Sequence, residues 1–271
     1  VAPDIFFQDL DQLQEILKES LNLPICTAPG YEADDVLGTL ANEAADKGWS
    51  VRILSGDRDL FQLVDDRRDI AVLYMGGGPY AKSGNPKLID EQGVKDKLGV
   101  NPEKVIDLKA LTGDSSDNIP GVKGVGPKTA INLLNENNDL DGVYKSLAEV
   151  EKLGEKAKRG AIKGAVKIKL RTDKKNAYLS KRLAEILIKI PIEKKINFQL
   201  KGINEVKLSE TLEKLELHSL LKQVSIFKAI FSKEGLSKEV KNSPIKKVST
   251  ITKKIPGEEL KSINNSLDLP E

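Results

Sequence analysis

Apolar residues recur at helical and strand spacings in alternation along the first half of the chain. Three- and four-residue spacing predicts amphipathic helices over residues 9–21 and from Tyr31 to a stop at Gly48. Short runs rich in β-branched residues at Val51–Leu54 and Ile70–Tyr74 predict buried strands of a parallel sheet. This alternation is typical of an α/β architecture.

Shorter patterns predict further elements. Apolar runs at Pro24–Cys26 and Ile186–Ile190 favour two additional strands. A short helix is predicted over residues 90–98, and the proline after Asn101 favours the start of another. Leucine spacing around residues 208–220 favours a closing helix or helix pair. The second half of the chain is therefore predicted to be mostly helical.

This change in pattern divides the chain into three segments. We assign the α/β part to residues 1–112, a helical part to residues 113–231, and a polar linker towards a missing downstream domain to residues 232–271. The chain begins with Val1 and its only methionine is Met75, so we expect the natural N-terminus to lie upstream.

Composition excludes several classes of protein. With 39% hydrophobic residues, 271 residues can bury a core, and no apolar run reaches the length of a membrane span. A single cysteine, Cys26, excludes an intramolecular disulfide framework and favours a reducing compartment, for which cytoplasm is the default.

The formal charge is only +2, but ten basic and two acidic residues lie between Lys152 and Lys175. That run fits a solvated helix face or a nucleic-acid contact.

Carboxylates are concentrated in three short segments, each of which has a structural alternative. Residues 32–35 open a helix, where the helix dipole favours negative charge. Asp57 and Asp59 follow a predicted strand and point the same way if the backbone stays extended, but they also suit an exposed turn. Asp114 and Asp117 share a face if their loop is helical, or cap the preceding helix.

The combination of the three segments favours a metal centre over three separate caps. Open α/β sheets bind ligands at the carboxyl ends of their strands, and neighbouring carboxylates are costly without a cation. Carboxylate oxygens suit Mg²⁺ or Mn²⁺. Two such ions roughly 4 Å apart can activate water and hydrolyse a phosphodiester. The sequence therefore predicts metal-assisted hydrolysis of a nucleic-acid backbone.

A glycine-rich turn over residues 121–130 follows directly. Its glycines allow positive φ and close approach, and a helix is predicted to begin near Pro127 with free N–H groups. Those groups, with Lys123, Lys128 and Thr129, can hold a DNA phosphate without reading a base. A helix–helix turn without a ligand is the alternative.

Four segments, in this order and spacing, resemble the 5′→3′ exonuclease domain of bacterial DNA polymerase I, which belongs to the flap endonuclease family. The similarity covers about residues 6–231, and it implies a partial PIN-like parallel sheet with flanking helices, followed by a helix-hairpin-helix subdomain. The four segments are Tyr31–Val36, Gly56–Leu63, Ala110–Val122 and Gly124–Ala130.

The resemblance also implies a site. It assigns divalent metals, two Mg²⁺ or Mn²⁺ ions, to the positions matching Glu32, Asp34, Asp57, Asp59 and Asp117, with Asp35 and Asp114 adding outer-sphere or second-metal charge. Asp34, Asp57, Asp59 and Asp117 are the implied catalytic residues. The implied DNA-binding residues, where a monovalent cation often sits in the family, are Gly121, Lys123, Gly124, Gly126, Lys128 and Thr129.

The implied activity is removal of RNA primers and 5′ flaps during Okazaki fragment processing and DNA repair. The implied substrates are DNA with a 5′ flap or nick and RNA-primed DNA. The implied protein is a monomer without membrane association, located with the nucleoid in the cytoplasm, whose parent chain also carries a polymerase domain.

One departure from the family limits these expectations. The family domain begins further upstream, with a central strand and a basic arch that this sequence lacks. We therefore expect an exposed apolar sheet edge and a chain that is weakly active or inactive alone. A non-catalytic, sequence-independent DNA-binding module is the alternative. A small-molecule phosphatase is disfavoured because it leaves the glycine turn unexplained.

Overall fold

Eleven α-helices and three β-strands form in the part of the chain that the computed structural model describes. The described residues are 4–76, 85–154, 160–192, 199 and 201–232. The helices are α1 (Asp4–Glu15), α2 (Ala33–Asp46), α3 (Glu91–Leu98), α4 (Val105–Thr112), α5 (Pro127–Asn137), α6 (Leu140–Leu153), α7 (Gly164–Thr172), α8 (Lys174–Ala184), α9 (Glu205–Lys214), α10 (His218–Leu221) and α11 (Val224–Ile230). The strands are β1 (Val51–Ser55), β2 (Ile70–Tyr74) and β3 (Lys87–Ile89).

The chain folds as two compact units, which divide it differently from the three segments predicted above. One unit comprises Val1–Pro24 and Phe198–Glu271, and the other comprises Ile25–Asn197. The predicted linker at residues 232–271 lies outside the described residues except for Ser232. Among the described helices, none is long and apolar enough to cross a membrane.

The described residues of the first unit are mainly helical and form a small core. Helix α1 continues into a π-helical turn at Ile16–Ser20, so the helix predicted over residues 9–21 is confirmed. Leu208 and Leu212 are buried on one face of α9 and pack in a cluster with Val224 of α11. The predicted closing helix pair is thus a group of three helices.

A small mixed sheet lies in the second unit. β1 and β2 pair in parallel with Val51 opposite Ile70, which confirms the predicted parallel pair. β3, which the sequence did not predict, joins β2 antiparallel with Val72 opposite Ile89, so the sheet is not wholly parallel. β1 is an edge strand among the described residues, and its Leu54 side chain is 62% exposed. The expectation that both strands are buried is therefore wrong for β1.

Two predicted strands do not form. The segments Pro24–Cys26 and Ile186–Ile190 have no strand structure. Three N–H groups of the second segment donate instead to the side chains of Gln62, Asp35 and Thr39. Because those donors are already satisfied by α2 and the turn after β1, the segment has no need of a neighbouring strand.

Helix α4 organises the helical part around a buried carboxylate. A short 3₁₀ turn at Pro102–Lys104 leads into α4, close to the predicted start. Asp107 on α4 is only 4% exposed; its carboxylate lies 2.7 Å from the Lys181 ammonium of α8 and accepts the Leu140 N–H of α6 at 3.1 Å. This contact set links three helices, since a buried carboxylate is tolerated only with such partners.

Candidate metal centre and nucleic-acid interface

Three of the predicted ligands come together in space. Carboxylate oxygens of Asp59, Asp114 and Asp117 all lie within 4.8 Å of one another. Asp59 follows β1, whereas Asp114 and Asp117 follow α4, so the cluster joins segments that are far apart in sequence. The prediction that these acidic segments converge therefore agrees with the geometry for these three residues.

The turn after β1 differs from the extended backbone that the sequence suggested. Asp59 opens a 3₁₀ turn that ends at Leu63, and its N–H donates to the Asp57 carboxylate at 2.8 Å. The Asp57 N–H in turn donates to the Ser55 hydroxyl at 3.0 Å. Alternation along a strand is thus the wrong reason for placing Asp57 and Asp59 near one another, and a local Asx turn is the actual one.

The loop after α4 is closed by its own backbone. Asp114 and Ile119 exchange N–H···O=C hydrogen bonds of 2.9 and 2.8 Å, and the Asp114 carboxylate accepts the Ser116 N–H at 2.9 Å. Gly113 starts the loop at φ +71°, where an added Cβ would lie 2.6 Å from the Ile119 carbonyl oxygen. This closed loop leaves the Asp117 side chain 55% exposed at its tip.

Lys109 of α4 sits among these carboxylates. Its ammonium forms an ion pair with Asp59, lies 2.8 Å from an Asp114 oxygen and 3.9 Å from an Asp117 oxygen, and its side chain is 15% exposed. Lys109 lowers the pKa of Asp114 to about 2, with help from Ser116. Burial raises the pKa of Asp59 despite the opposing effect of Lys109. Burial also opposes the charge on Lys109, but its acidic partners outweigh burial and raise its pKa.

The acids at the start of α2 have a different environment. Partial burial raises the pKa of Asp34 to about 6, and the charges of Asp57, Asp59, Glu32 and Asp35 raise it in the same direction. The negative charges of Asp57 and Asp59, in the turn after β1, therefore act on Asp34. We call Glu32, Asp34 and Asp57 the open carboxylates, and Asp59, Asp114 and Asp117 the lysine-bridged carboxylates.

Asp35 has a structural role instead. One of its oxygens accepts the Glu32 N–H at 3.3 Å, and the other accepts the Leu187 N–H at 2.8 Å. Both oxygens are thus occupied by backbone donors, in the manner of a helix cap.

The donor set fits a hard divalent cation. All the candidate ligand atoms are carboxylate oxygens, which Mg²⁺ and Mn²⁺ prefer. Burial is the largest cause of the raised pKa of Asp34, and repulsion from the neighbouring acids adds to it. A cation among the open carboxylates would relieve that repulsion.

The glycine turn packs closely on the end of α4. Gly121 has φ +61°, and an added Cβ would lie 2.2 Å from the Gly113 nitrogen. Its N–H donates to the buried Ser180 hydroxyl of α8 at 2.9 Å, and the Val122 N–H donates to the Leu111 carbonyl at 2.9 Å. Only glycine fits this position.

Two residues of the basic run hold the rest of the turn. Asp173 accepts the Lys123 N–H at 2.9 Å, and the Lys169 ammonium donates to the Gly124 carbonyl at 2.8 Å. The Lys123 backbone is therefore already engaged, which leaves its exposed ammonium for a ligand.

The start of α5 is the accessible part of the turn. Gly126 is its N-cap with Pro127 at the first helical position, as the sequence predicted, and Lys128 is exposed. Thr129 is half-buried and, with Lys163, lines a cavity of about 440 Å³. The first-turn N–H groups have no acceptor within the helix, so this end favours an anion.

Lys109 is the one central residue that sequence reasoning missed. It lies in α4 among mostly apolar residues, five positions before Asp114. A lone lysine on a buried helix that leads into an acidic loop was the available signal, because a buried ammonium needs an acidic partner.

The carboxylate cluster lies beyond the end of β1 in a small α/β sheet, and helices with a glycine-rich turn follow it. This arrangement is typical of the class of metal-dependent nucleases. Residues 1–99 match the family model "5′-3′ exonuclease, N-terminal resolvase-like domain", and residues 100–206 match "5′-3′ exonuclease, C-terminal SAM fold". The chain belongs to the 5′-3′ exonuclease family, which confirms the resemblance seen in the sequence.

Relatives agree with that assignment. The 5′-3′ exonuclease of Aquifex aeolicus is 36% identical over 224 residues, which cover 82% of this chain and 68% of the relative. DNA polymerase I of Synechocystis sp. is 45% identical over 232 residues, which cover 85% of this chain and 22% of the relative. The chain thus spans about a fifth of the length of that polymerase.

Solved structures show the same fold at lower identity. Bacteriophage T5 5′-exonuclease with bound zinc has a TM-score of 0.51 at 19% identity, covering 84% of this chain and 69% of that one. The catalytic core of Rad2 in complex with a DNA substrate has a TM-score of 0.54 at 18% identity, covering 84% and 71%. At these identities the likeness shows the fold alone.

Proposed function

We propose that this chain supplies a metal-dependent 5′→3′ exonuclease and 5′-flap endonuclease activity. The convergence of Asp59, Asp114 and Asp117 from two distant segments is the observation that carries the proposal. Hydrolysis of DNA or RNA-primer phosphodiesters at a 5′ flap or nick is the reaction that suits it, in Okazaki fragment processing and repair. The Aquifex aeolicus relative is a 5′-3′ exonuclease and the Synechocystis relative is a DNA polymerase I, and both support this activity.

The lysine-bridged and open carboxylates together would hold two Mg²⁺ or Mn²⁺ ions. Such ions, when bound, lower the pKa of a water and neutralise charge on the phosphate. The chain's own task is to position oxygen ligands: the Asx turn fixes Asp59, and the closed loop fixes Asp114. Asp117, with its more exposed side chain, is the member of the cluster that substrate can reach most directly.

The glycine turn would hold the duplex beside the cleavage site. Lys123 and Lys128 are exposed, and the N–H groups at the start of α5 favour a phosphate oxygen. Gly124 and Gly126 let the backbone approach closely, and a monovalent cation would bind at carbonyls of this turn. Binding of this type is independent of base sequence and sensitive to salt. Solved proteins of this fold hold divalent zinc (T5 5′-exonuclease) or DNA (Rad2), as this proposal requires of the carboxylates and of the glycine turn, respectively.

The cellular setting is part of the same proposal. A monomeric exonuclease domain joined to a polymerase domain, located with the nucleoid, fits the DNA polymerase I relatives. A non-catalytic DNA-binding module is the second candidate, because the glycine turn would bind duplex without any metal at the carboxylates.

Cleavage of a labelled 5′-flap duplex tests the proposal. The assay compares this chain with a fusion that adds the upstream segment of the Synechocystis relative, each with Mg²⁺ or EDTA. We expect the fusion to release the flap with Mg²⁺ and this chain alone to release it weakly or not at all. Asp59→Asn in the fusion should reduce release at least about a hundredfold because a metal ligand is lost. Asp96→Asn, on the exposed face of α3, is the matched control and should cleave normally.

The outcomes separate the two candidates. If neither protein cuts the flap while both retain salt-sensitive duplex binding, the binding module is correct and the nuclease proposal fails. Equal cleavage by the fusion and its Asp59→Asn variant would also contradict the proposal, since the carboxylates would then have no part in the reaction.

A further inference from the structure

Lys109 is the most deeply placed cation in the acidic site. Its ammonium contacts Asp59, Asp114 and Asp117, which belong to two separate segments, and only 15% of its side chain is exposed. No other described side chain brings these three carboxylates together through one atom in the ion pairs of the structure.

The position of this ammonium resembles that of a bound ion. Three carboxylate groups have oxygens within 4.8 Å of one another, and their shared neighbour is one positive nitrogen. A lysine ammonium and a divalent cation both satisfy oxygen donors, but they repel each other at a few ångströms. They cannot both occupy the space between the same oxygens.

We infer that Lys109 is a resident counter-cation, a positioning residue that holds the lysine-bridged carboxylates together without metal and must withdraw when a divalent ion binds them. This inference rests on the proposed function, because it concerns the same metal centre. It goes beyond that function in assigning the metal-free state of the site to a particular side chain.

The helix that carries Lys109 supports withdrawal of the side chain without unfolding. α4 is anchored independently of the acidic site by Asp107, which is bound by Lys181 and by the Leu140 N–H. Leu111, also on α4, is fully buried. The backbone of α4 can thus stay fixed while the four-carbon side chain of Lys109 changes rotamer.

The open carboxylates differ from the lysine-bridged ones. Among the described residues, no lysine or arginine forms an ion pair with them. A first divalent ion therefore enters beside Asp34 without displacing a lysine, and a second must compete with Lys109. The two halves of the site should load in that order.

Calorimetric titration with Mn²⁺ alone tests this competition. Wild type should show two phases, and in Lys109→Met the weaker phase should tighten by about tenfold or more because a like charge has been removed. Lys109→Arg keeps the charge and should bind Mn²⁺ like wild type. Lys95→Met, an exposed site on α3, makes the same charge change away from the carboxylates and should also bind like wild type.

A second measurement uses the wild type only, in case Lys109→Met does not fold. Amine-reactive labelling followed by peptide mass spectrometry should modify Lys109 faster when Mn²⁺ is added, since the displaced ammonium becomes accessible. Labelling of Lys95 should not change.

Each outcome is decisive. Mn²⁺ binding of equal or lower affinity in folded Lys109→Met, or unchanged labelling of Lys109, overturns this inference and leaves the nuclease proposal standing. Failure of wild type and every variant to bind Mn²⁺ overturns the inference and the proposed metal centre together.

Discussion

Individual carboxylates of the site differ in what neutralises them. Lys109 lowers the pKa of Asp114 to about 2, whereas burial and neighbouring acids raise that of Asp34 to about 6. Without metal, Asp114 contributes stability that is present above its ordinary pKa and lost as the pH falls towards 2. Asp34 has the opposite effect on stability. Its ionised carboxylate destabilises the fold above pH 6, and this destabilisation disappears as the pH falls to the ordinary pKa of an aspartate.

The change Asp34→Asn should therefore stabilise the metal-free chain in a pH-dependent manner. At pH 8 we expect about 1 kcal/mol of added stability, after allowance for solvent screening of a half-buried group, and close to none at pH 4. Urea unfolding in EDTA at both pH values measures the difference. Asp96→Asn is the control, and an equal gain at both pH values would show that ionisation of Asp34 is not the cause.

The sequence identified the acidic residues but not what surrounds them. Asp59, Asp114 and Asp117 were predictable because each lies at the end of an element that the hydrophobic pattern located. For Lys109, a lone lysine on a buried helix indicates only that some acidic partner is needed; its contact with Asp59 depends on the distance between α4 and the turn after β1, which the sequence does not encode locally. Asp35 was predicted to add outer-sphere or second-metal charge, and the sequence did not reveal that its oxygens accept the N–H groups of Glu32 and Leu187.

Among the elements, strong periodicity predicted helices well and short runs predicted strands poorly. α2 and α5 begin near the predicted residues, because a repeated apolar stripe and a proline at the first turn are local signals. β3 was missed, since Lys87–Ile89 is too short to alternate. Ile186–Ile190 has strand-like composition, but its N–H groups bind side chains, a tertiary effect that composition does not reveal.

The glycine turn allows a paired test of its two functions. Gly121→Ala should destabilise the fold by about 3 kcal/mol, because its positive φ and the nearby Gly113 nitrogen leave no room for a Cβ. Gly126→Ala should unfold like wild type, since φ is −92° and nothing lies within 4 Å of the added Cβ. Thermal unfolding measures both.

The same pair separates folding from binding. If the start of α5 holds a phosphate, Gly126→Ala should weaken duplex binding in a fluorescence-anisotropy titration while its melting temperature stays unchanged. Wild-type affinity in Gly126→Ala would argue that the backbone at this residue does not approach the DNA.

At the scale of the whole molecule, the described residues of the two units form cores of very different size. The first relies on Leu208, Leu212 and Val224, whereas the second buries a continuous cluster that runs from the sheet into α4, α5 and α6. Burial of apolar surface is the main source of stability, so the first unit should be the less stable of the two.

Hydrogen exchange with mass spectrometry measures this difference. Amides of α9 should exchange faster than amides of α5, and Leu212→Ala should accelerate α9 further by removing a residue that is only 3% exposed. The matched change Leu134→Ala, in the second unit, should accelerate α5. Slower exchange in α9 than in α5 would show that core size does not determine local stability here.

The ion pair between Asp107 and Lys181 has a consequence for how this sequence can evolve. Replacing Lys181 alone leaves the Asp107 carboxylate buried and uncompensated, whereas an apolar pair of similar volume can be neutral or better. Loss of Lys181 should therefore be tolerated only after Asp107 has changed, although the two positions lie 74 residues apart in the chain. Substitutions at the two positions should therefore be correlated among related sequences.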